Sequence, residues 1–132
     1  MELPPYGFEK TLPGVSMADA RERVTKALAA EGFGILTEID VTATLKKKLD
    51  VEFRPYLILG ACNPHLAHRA LQGDPQIGLL LPCNVVVQES AGGTLVSIAS
   101  PRAMFSVVQR NDLEPIVADA EASLRRVIDA LG

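Results

Sequence analysis

Two Cys-Asn pairs carry the groups in this sequence that are most able to do chemistry. Cys62-Asn63 ends one apolar stretch, and Cys83-Asn84 begins another. A proline follows the first pair, and another proline precedes the second. The chain has no other cysteine, and a thiolate can act as a nucleophile, a redox group or a metal ligand. The candidate residues for ligand binding or redox chemistry are therefore Cys62, Asn63, Pro64, Cys83 and Asn84.

The sequence leaves three interpretations of the thiols open. Free cysteines often pack as small apolar residues in a core. Alternatively, Cys62 immediately precedes a predicted helix, whose positive N-terminal end favours a thiolate. In a thiol-dependent enzyme or redox sensor, Cys62 would be the nucleophile and Cys83 the resolving thiol. A regulatory disulfide is the third interpretation, because strands on either side of a single helix are often neighbours.

The two asparagines have different local contexts. Asn63 followed by Pro64 is typical of a helix start, with Asn63 as the N-cap and proline at the first helical position. Asn84 begins an apolar strand, where asparagine is depleted. We therefore expect Asn84 to bind a loop, a partner subunit or a ligand.

Both histidines follow the first pair, as His65 and His68. With Cys62 and Cys83 they would supply four metal ligands, the number in a structural zinc site. Their spacing matches no standard zinc pattern, so no metal residue and no cofactor is assigned. Metal binding stays as an alternative function.

Composition and motifs exclude several classes of protein. The net charge of −3 disfavours a nucleic-acid partner, which needs a basic patch. Pro82 interrupts the longest apolar run, which is too short for a membrane span. Without a signal peptide, we expect a cytoplasmic protein with reduced thiols. No nucleophile elbow, phosphate loop, dinucleotide fingerprint or zinc-protease motif is present, and the sequence leaves open whether the protein is an enzyme.

Hydrophobic periodicity predicts the elements that must position these groups. Alternation predicts strands at 6–12, 33–40, 52–61, 82–90 and 94–100, after a loose arm at 1–5. Helical spacing predicts helices that begin at Ser16, Asn63 and Asp112, and a short helix after residue 40. Residues 77–81 are predicted as a connector or short strand, and 102–110 as a loop. This pattern indicates one α+β domain over residues 1–132.

The third predicted strand indicates how much apolar surface must be covered. From Tyr56 to Ala61 the side chains of both parities are apolar or small, which predicts a strand that is covered on both faces. A domain of this size with two aliphatic faces has surface left over, so we expect a homodimer.

Four segments resemble a known family. They are EGFGILTEID, LILGACNP, IGLLLPCNVVVQE and a later Pro-Arg-x-Met. Together they are similar to the prokaryotic domain-of-unknown-function family 302. The resemblance implies a curved, mainly antiparallel sheet with helices on one side, β-α-β4-α in outline, of the kind called TBP-like, and a dimer. It implies no catalytic role, and its topological similarity to TATA-binding protein implies no binding of DNA.

The leading hypothesis is a small cytoplasmic α+β homodimer that binds a small ligand or partner near Cys62 and Cys83. A thiol-dependent enzyme or redox sensor is the first alternative, and a metal-binding protein is the second.

Overall fold

The fold is a five-stranded antiparallel sheet with the strand order β1-β5-β4-β3-β2. A computed structural model describes residues 6–132, so the arm predicted at 1–5 lies outside it. The strands are β1 (Gly7–Pro13), β2 (Gly34–Asp40), β3 (Tyr56–Cys62), β4 (Cys83–Ser90) and β5 (Gly93–Ala99). The α-helices are α1 (Met17–Ala30), α2 (Val41–Leu49), α3 (Pro64–Gly73), α4 (Pro101–Phe105) and α5 (Glu114–Ala130). The α+β class and the β-α-β4-α outline are confirmed, with α2, α3 and α4 as additional helices.

One face of the sheet packs against helices and forms the main core. Successive strand residues point to opposite faces, and every second residue of β4 and β5 is buried. Helices α1 and α5 cover this face with apolar residues at helical spacing. The fully buried members of the core include Val24, Leu28, Leu59, Val85, Val87, Val96, Leu124 and Val127.

The other side of the sheet, which we call the open face, has no covering element within residues 6–132. It consists of the alternate strand residues, such as Tyr56 and Ile58 on β3 and Val86 on β4. The helix side of β3 is covered by this chain, whereas Tyr56 and Ile58 on the open face are half-buried, so cover on both faces stays a prediction.

Helix caps follow the expected chemistry at two starts. The Ser16 side chain accepts a hydrogen bond from the Asp19 N–H at 3.1 Å, as predicted for α1. Helix α1 ends before Gly32, whose φ of 83° suits glycine. Asp40 caps α2 by accepting from the Ala43 N–H at 2.9 Å.

Three local predictions need correction. Residues 77–81 do not form a strand but lie mostly in a 3-10 helix, Pro75–Leu80, which connects α3 to β4. The segment predicted as a loop begins with α4, which Ser100 caps through the Ala103 N–H. Asp112 does not cap α5, because its carboxylate instead accepts hydrogen bonds from the Arg110 guanidinium, which lower its pKa.

None of the helices formed by residues 6–132 combines the length and the apolar character needed to cross a bilayer.

Candidate functional site

The two Cys-Asn pairs meet at one end of the sheet. Cys62 is the last residue of β3 and Cys83 is the first of β4, and these strands pair with Ala61 opposite Cys83. Gly60 makes room for this junction, because a Cβ there would lie 2.8 Å from the ring of Pro82 and would also clash with the Thr37 hydroxyl. The predicted convergence of the two cysteines at one edge is therefore found.

The two thiols lie near each other, and Cys62 is less buried than Cys83. Cys62 lies at the end of β3, just before α3, and borders the same small cavity on the helix side as Cys83. Cys83 packs against the main core on the helix side. Both cysteines are free thiols in the structure, and the disulfide considered from the sequence stays a prediction.

Burial keeps both thiols protonated. Loss of water raises the pKa of the Cys83 thiol to about 11, and the nearby Cys62 adds to that shift. Burial also raises the pKa of Cys62. A nucleophilic or resolving thiol needs the opposite shift, so neither cysteine is activated in this conformation.

Asn63 and Pro64 build the start of α3, as predicted. The Asn63 side-chain oxygen accepts from the backbone N–H groups of His65 and Leu66, at 3.1 and 3.2 Å. Its amide nitrogen donates to the Glu31 carbonyl oxygen at 3.4 Å, which ties α3 to the end of α1. These three contacts use the polar atoms of Asn63 for structure. Asn84, by contrast, is exposed on the open face.

We expect substitutions of the two asparagines to differ in their effect on the free energy of unfolding. Asn63→Ala should lower the free energy of unfolding by about 1–2 kcal/mol, because the N-cap is lost. Asn63→Asp keeps a capping oxygen and should recover most of that loss. Asn84→Ala should change stability by about 0.5 kcal/mol or less, since the residue is exposed. Urea denaturation of the three variants tests this, and equal losses from both alanine substitutions would contradict it.

Two adjacent cavities lie beside Cys83. The outer cleft has a volume of about 310 Å³ and is lined by Leu79–Asn84 from the 3-10 helix and β4, and by Ala99, Pro101, Met104 and Phe105. The inner chamber has a volume of about 30 Å³ and lies among α3, α4 and α5. The two share four lining residues, namely Leu81, Cys83, Pro101 and Phe105. None of the residues that line either cavity is charged.

The histidines stand apart from this site. His65 and His68 are exposed on α3, whereas Cys83 packs against the core. Within residues 6–132, no three side chains of histidine, cysteine, aspartate or glutamate are grouped closely enough to hold a metal ion. The four ligands considered from the sequence are therefore not brought together.

Sequence reasoning missed the α4 side of the site. Pro101, Met104 and Phe105 line the outer cleft, but their segment was interpreted as a loop. The Ser100-Pro101 step was a usable signal, because serine at an N-cap followed by proline is typical of a helix start.

These features define an α+β protein with an open antiparallel sheet, an uncharged cleft and protonated thiols at one end. The model of the family called Domain of unknown function DUF302 matches residues 8–131, and the chain belongs to that family. The crystal structure of the uncharacterized conserved protein DUF302 from Bacillus stearothermophilus is similar, with a TM-score of 0.89 and 30% sequence identity. That match covers 98% of this chain and 100% of the other. No curated protein matches the sequence.

Proposed function

We propose that this protein is a homodimer that binds a small, uncharged, largely apolar ligand in the outer cleft beside Cys83. The observation that carries the proposal is the cleft itself, about 310 Å³ in volume and lined by leucine, proline, methionine and phenylalanine side chains. That volume falls at the lower end of the range of about 300–1,000 Å³ for small-molecule sites, which are mostly apolar.

The lining restricts the chemistry of the ligand. A charged group entering the outer cleft would lose water without finding an opposite charge, because no lining residue is charged. Asn84 offers one amide at the rim, which can donate and accept a hydrogen bond. The inner chamber adds space for a group about the size of a methyl or a water. A compact apolar molecule with one polar substituent fits these limits.

Thiol and metal chemistry have no comparable support. The pKa of each thiol is raised rather than lowered, and the histidines lie away from Cys83. In this proposal the Cys83 side chain lines the cleft and takes no part in a reaction. A reducing compartment such as the cytoplasm, where thiols stay free, fits a chain whose two cysteines form no disulfide.

A neutral fluorescent probe, N-phenyl-1-naphthylamine, tests the cleft directly. The chain has no Trp, so probe emission can be read without interference from indole. Met104→Glu places a carboxylate in the lining and should weaken binding of the probe at least about tenfold, which corresponds to ~1.4 kcal/mol. The residue is only partly buried on α4, where glutamate is compatible with a helix.

Val107→Glu is the matched control. It adds the same charge shortly after Met104, at a residue that is 73% exposed and lines neither cavity. Binding should remain at the wild-type level in this variant. Equal losses in both variants, or no binding by the wild-type protein, would overturn the proposed ligand site.

A further inference from the structure

The open face is uncharged over most of its extent. From β2 to β5 its positions carry only apolar, small or neutral polar side chains. They are Thr37, Ile39, Tyr56, Ile58, Gly60, Asn84, Val86, Gln88, Leu95, Ser97 and Ala99. Charged side chains occur at two margins: Glu9 lies on β1 opposite Ser97, and the Arg54 guanidinium donates a hydrogen bond to the Gln88 side-chain oxygen at 3.2 Å. For a chain with a net charge of −3, this is an unusual stretch of surface.

Exposed apolar groups extend this face at its β2 and β3 side. Ile39 is 49% exposed on the face itself, and Leu36 is 67% exposed at the bulge in β2. Phe53 is 40% exposed, and its ring lies 5.8 Å from the ring of Tyr56. Several exposed apolar groups on one side of a protein mark an interaction site more often than singly scattered ones do.

We infer that the open face is the isologous interface of a homodimer and that the second copy closes the outer cleft. The inference rests on the proposed function for the existence of the dimer and of the ligand site. It adds the surface through which the copies associate and the link between association and binding.

The charge distribution of the open face favours a second copy of this chain as its binding partner. An isologous interface places the same patch of each copy against the other, so the patch must be complementary to itself. The central strands of the open face meet this condition, because their positions are uncharged and two copies can approach there without repulsion between like charges. A strongly charged partner would find only one charged side chain between β2 and β5, Arg54 beside Gln88.

The area of the face is sufficient. With strands spaced by about 4.8 Å and about seven residues long, at about 3.4 Å per residue, β2 to β5 cover about 460 Å², and the β1 margin brings the whole face to about 570 Å². Two copies would together bury about 1,100 Å², counted as the planar area of the two sheet faces without protruding side chains. This passes the ~1,000 Å² expected of a specific interface. The exposed margin at Leu36 and Phe53 adds to that area.

The face and the cleft are continuous. Asn84 and Ala99 belong to the open face and also line the outer cleft. A copy packed on the face therefore lies next to the mouth of the cleft and reduces its contact with water. Because association and ligand binding then favour each other, dimer and monomer should differ in affinity for the same ligand.

Charge substitutions at Val86 test the interface. Val86 lies on β4, the central strand of the sheet, and points to the open face. Sedimentation velocity at micromolar concentration should show a dimer for the wild type. Val86→Lys and Val86→Glu should each be monomeric, because each copy meets its own charge across the two-fold axis. An equimolar mixture of the two variants should recover the dimer, which a misfolded variant would not do.

The control is Val107→Lys, which adds the same charge to an exposed residue away from the sheet and should remain a dimer. If Val86→Lys is also a dimer, the interface lies elsewhere and the inference is wrong, while the ligand site is unaffected. A monomeric wild type would overturn the inference together with the dimer in the proposed function. The Met104→Glu measurement still decides the ligand site in either case.

The link to the cleft has its own measurement. N-phenyl-1-naphthylamine should bind monomeric Val86→Lys several-fold more weakly than it binds the wild-type dimer, and the equimolar mixture with Val86→Glu should recover the affinity. Equal affinity in monomer and dimer would overturn the claim that the second copy closes the cleft. Binding by the monomer at a measurable level, together with loss of that binding on Met104→Glu, would still support the ligand site.

Discussion

Alkylation of Cys83 in the native protein is expected to be about 100-fold slower at neutral pH than alkylation of an ordinary thiol. The pKa of this thiol is raised from 9.0 to about 11, mainly by burial. At a given pH below both values, two units of pKa reduce the thiolate population by about 100-fold. The rate should therefore keep rising about tenfold per pH unit until pH approaches 11.

Single-cysteine variants separate the two thiols. Cys62→Ser leaves only Cys83, and Cys83→Ser leaves only Cys62, so the rate of iodoacetamide modification of each can be read by intact mass. Cys62 is less buried and should react faster than Cys83. A fast reaction of Cys83 with an apparent pKa near or below about 8.5 would contradict the structure and favour the thiol enzyme considered from the sequence.

The reason for the raised pKa is visible only in three dimensions. In the sequence, Cys62 precedes a helix N-terminus, which favours the thiolate, and this part of the local structure is confirmed. The surrounding apolar groups come from distant segments. Phe33 follows α1, and Phe105 lies on α4. Desolvation by these groups depends on tertiary packing, so no local pattern could reveal that it dominates.

Where a local contact decides the structure, the sequence was a good guide. Ser16 and Asn63 cap helices with their own side chains, within three residues of the backbone groups that they satisfy. The alternation of residues 94–99 likewise predicted strand β5, whose buried and half-buried side chains alternate.

Tertiary contacts decided the segments that were mispredicted. Residues 77–81 form an apolar run, which fits a strand or a buried turn equally well in a single sequence. In the fold, Ile77 packs with Leu113 and Ile116 in a small second core, and the backbone forms a 3-10 helix. The outer cleft lies between this segment and α4. It could not be predicted, because the helical form of both segments depends on tertiary contacts.

Two adjacent substitutions on β3 should have very different effects on stability. Leu59→Ala should lower the free energy of unfolding by about 2–5 kcal/mol, because this leucine is 0% exposed in the centre of the main core. Ile58→Ala, one residue away, should cost about 1 kcal/mol or less in the monomer. Ile58 points to the open face, where a smaller side chain leaves no internal cavity.

Protein concentration then distinguishes the two faces. Association through the open face would stabilise the wild type by mass action, and it would stabilise Ile58→Ala less. The stability gap between wild type and Ile58→Ala should therefore widen as concentration rises, while the gap for Leu59→Ala stays constant. Urea denaturation at low and high protein concentration measures both gaps. A large and concentration-independent loss for Ile58→Ala would mean that the same chain covers this face, and the pattern of apolar residues on both sides of β3 would then need no second copy.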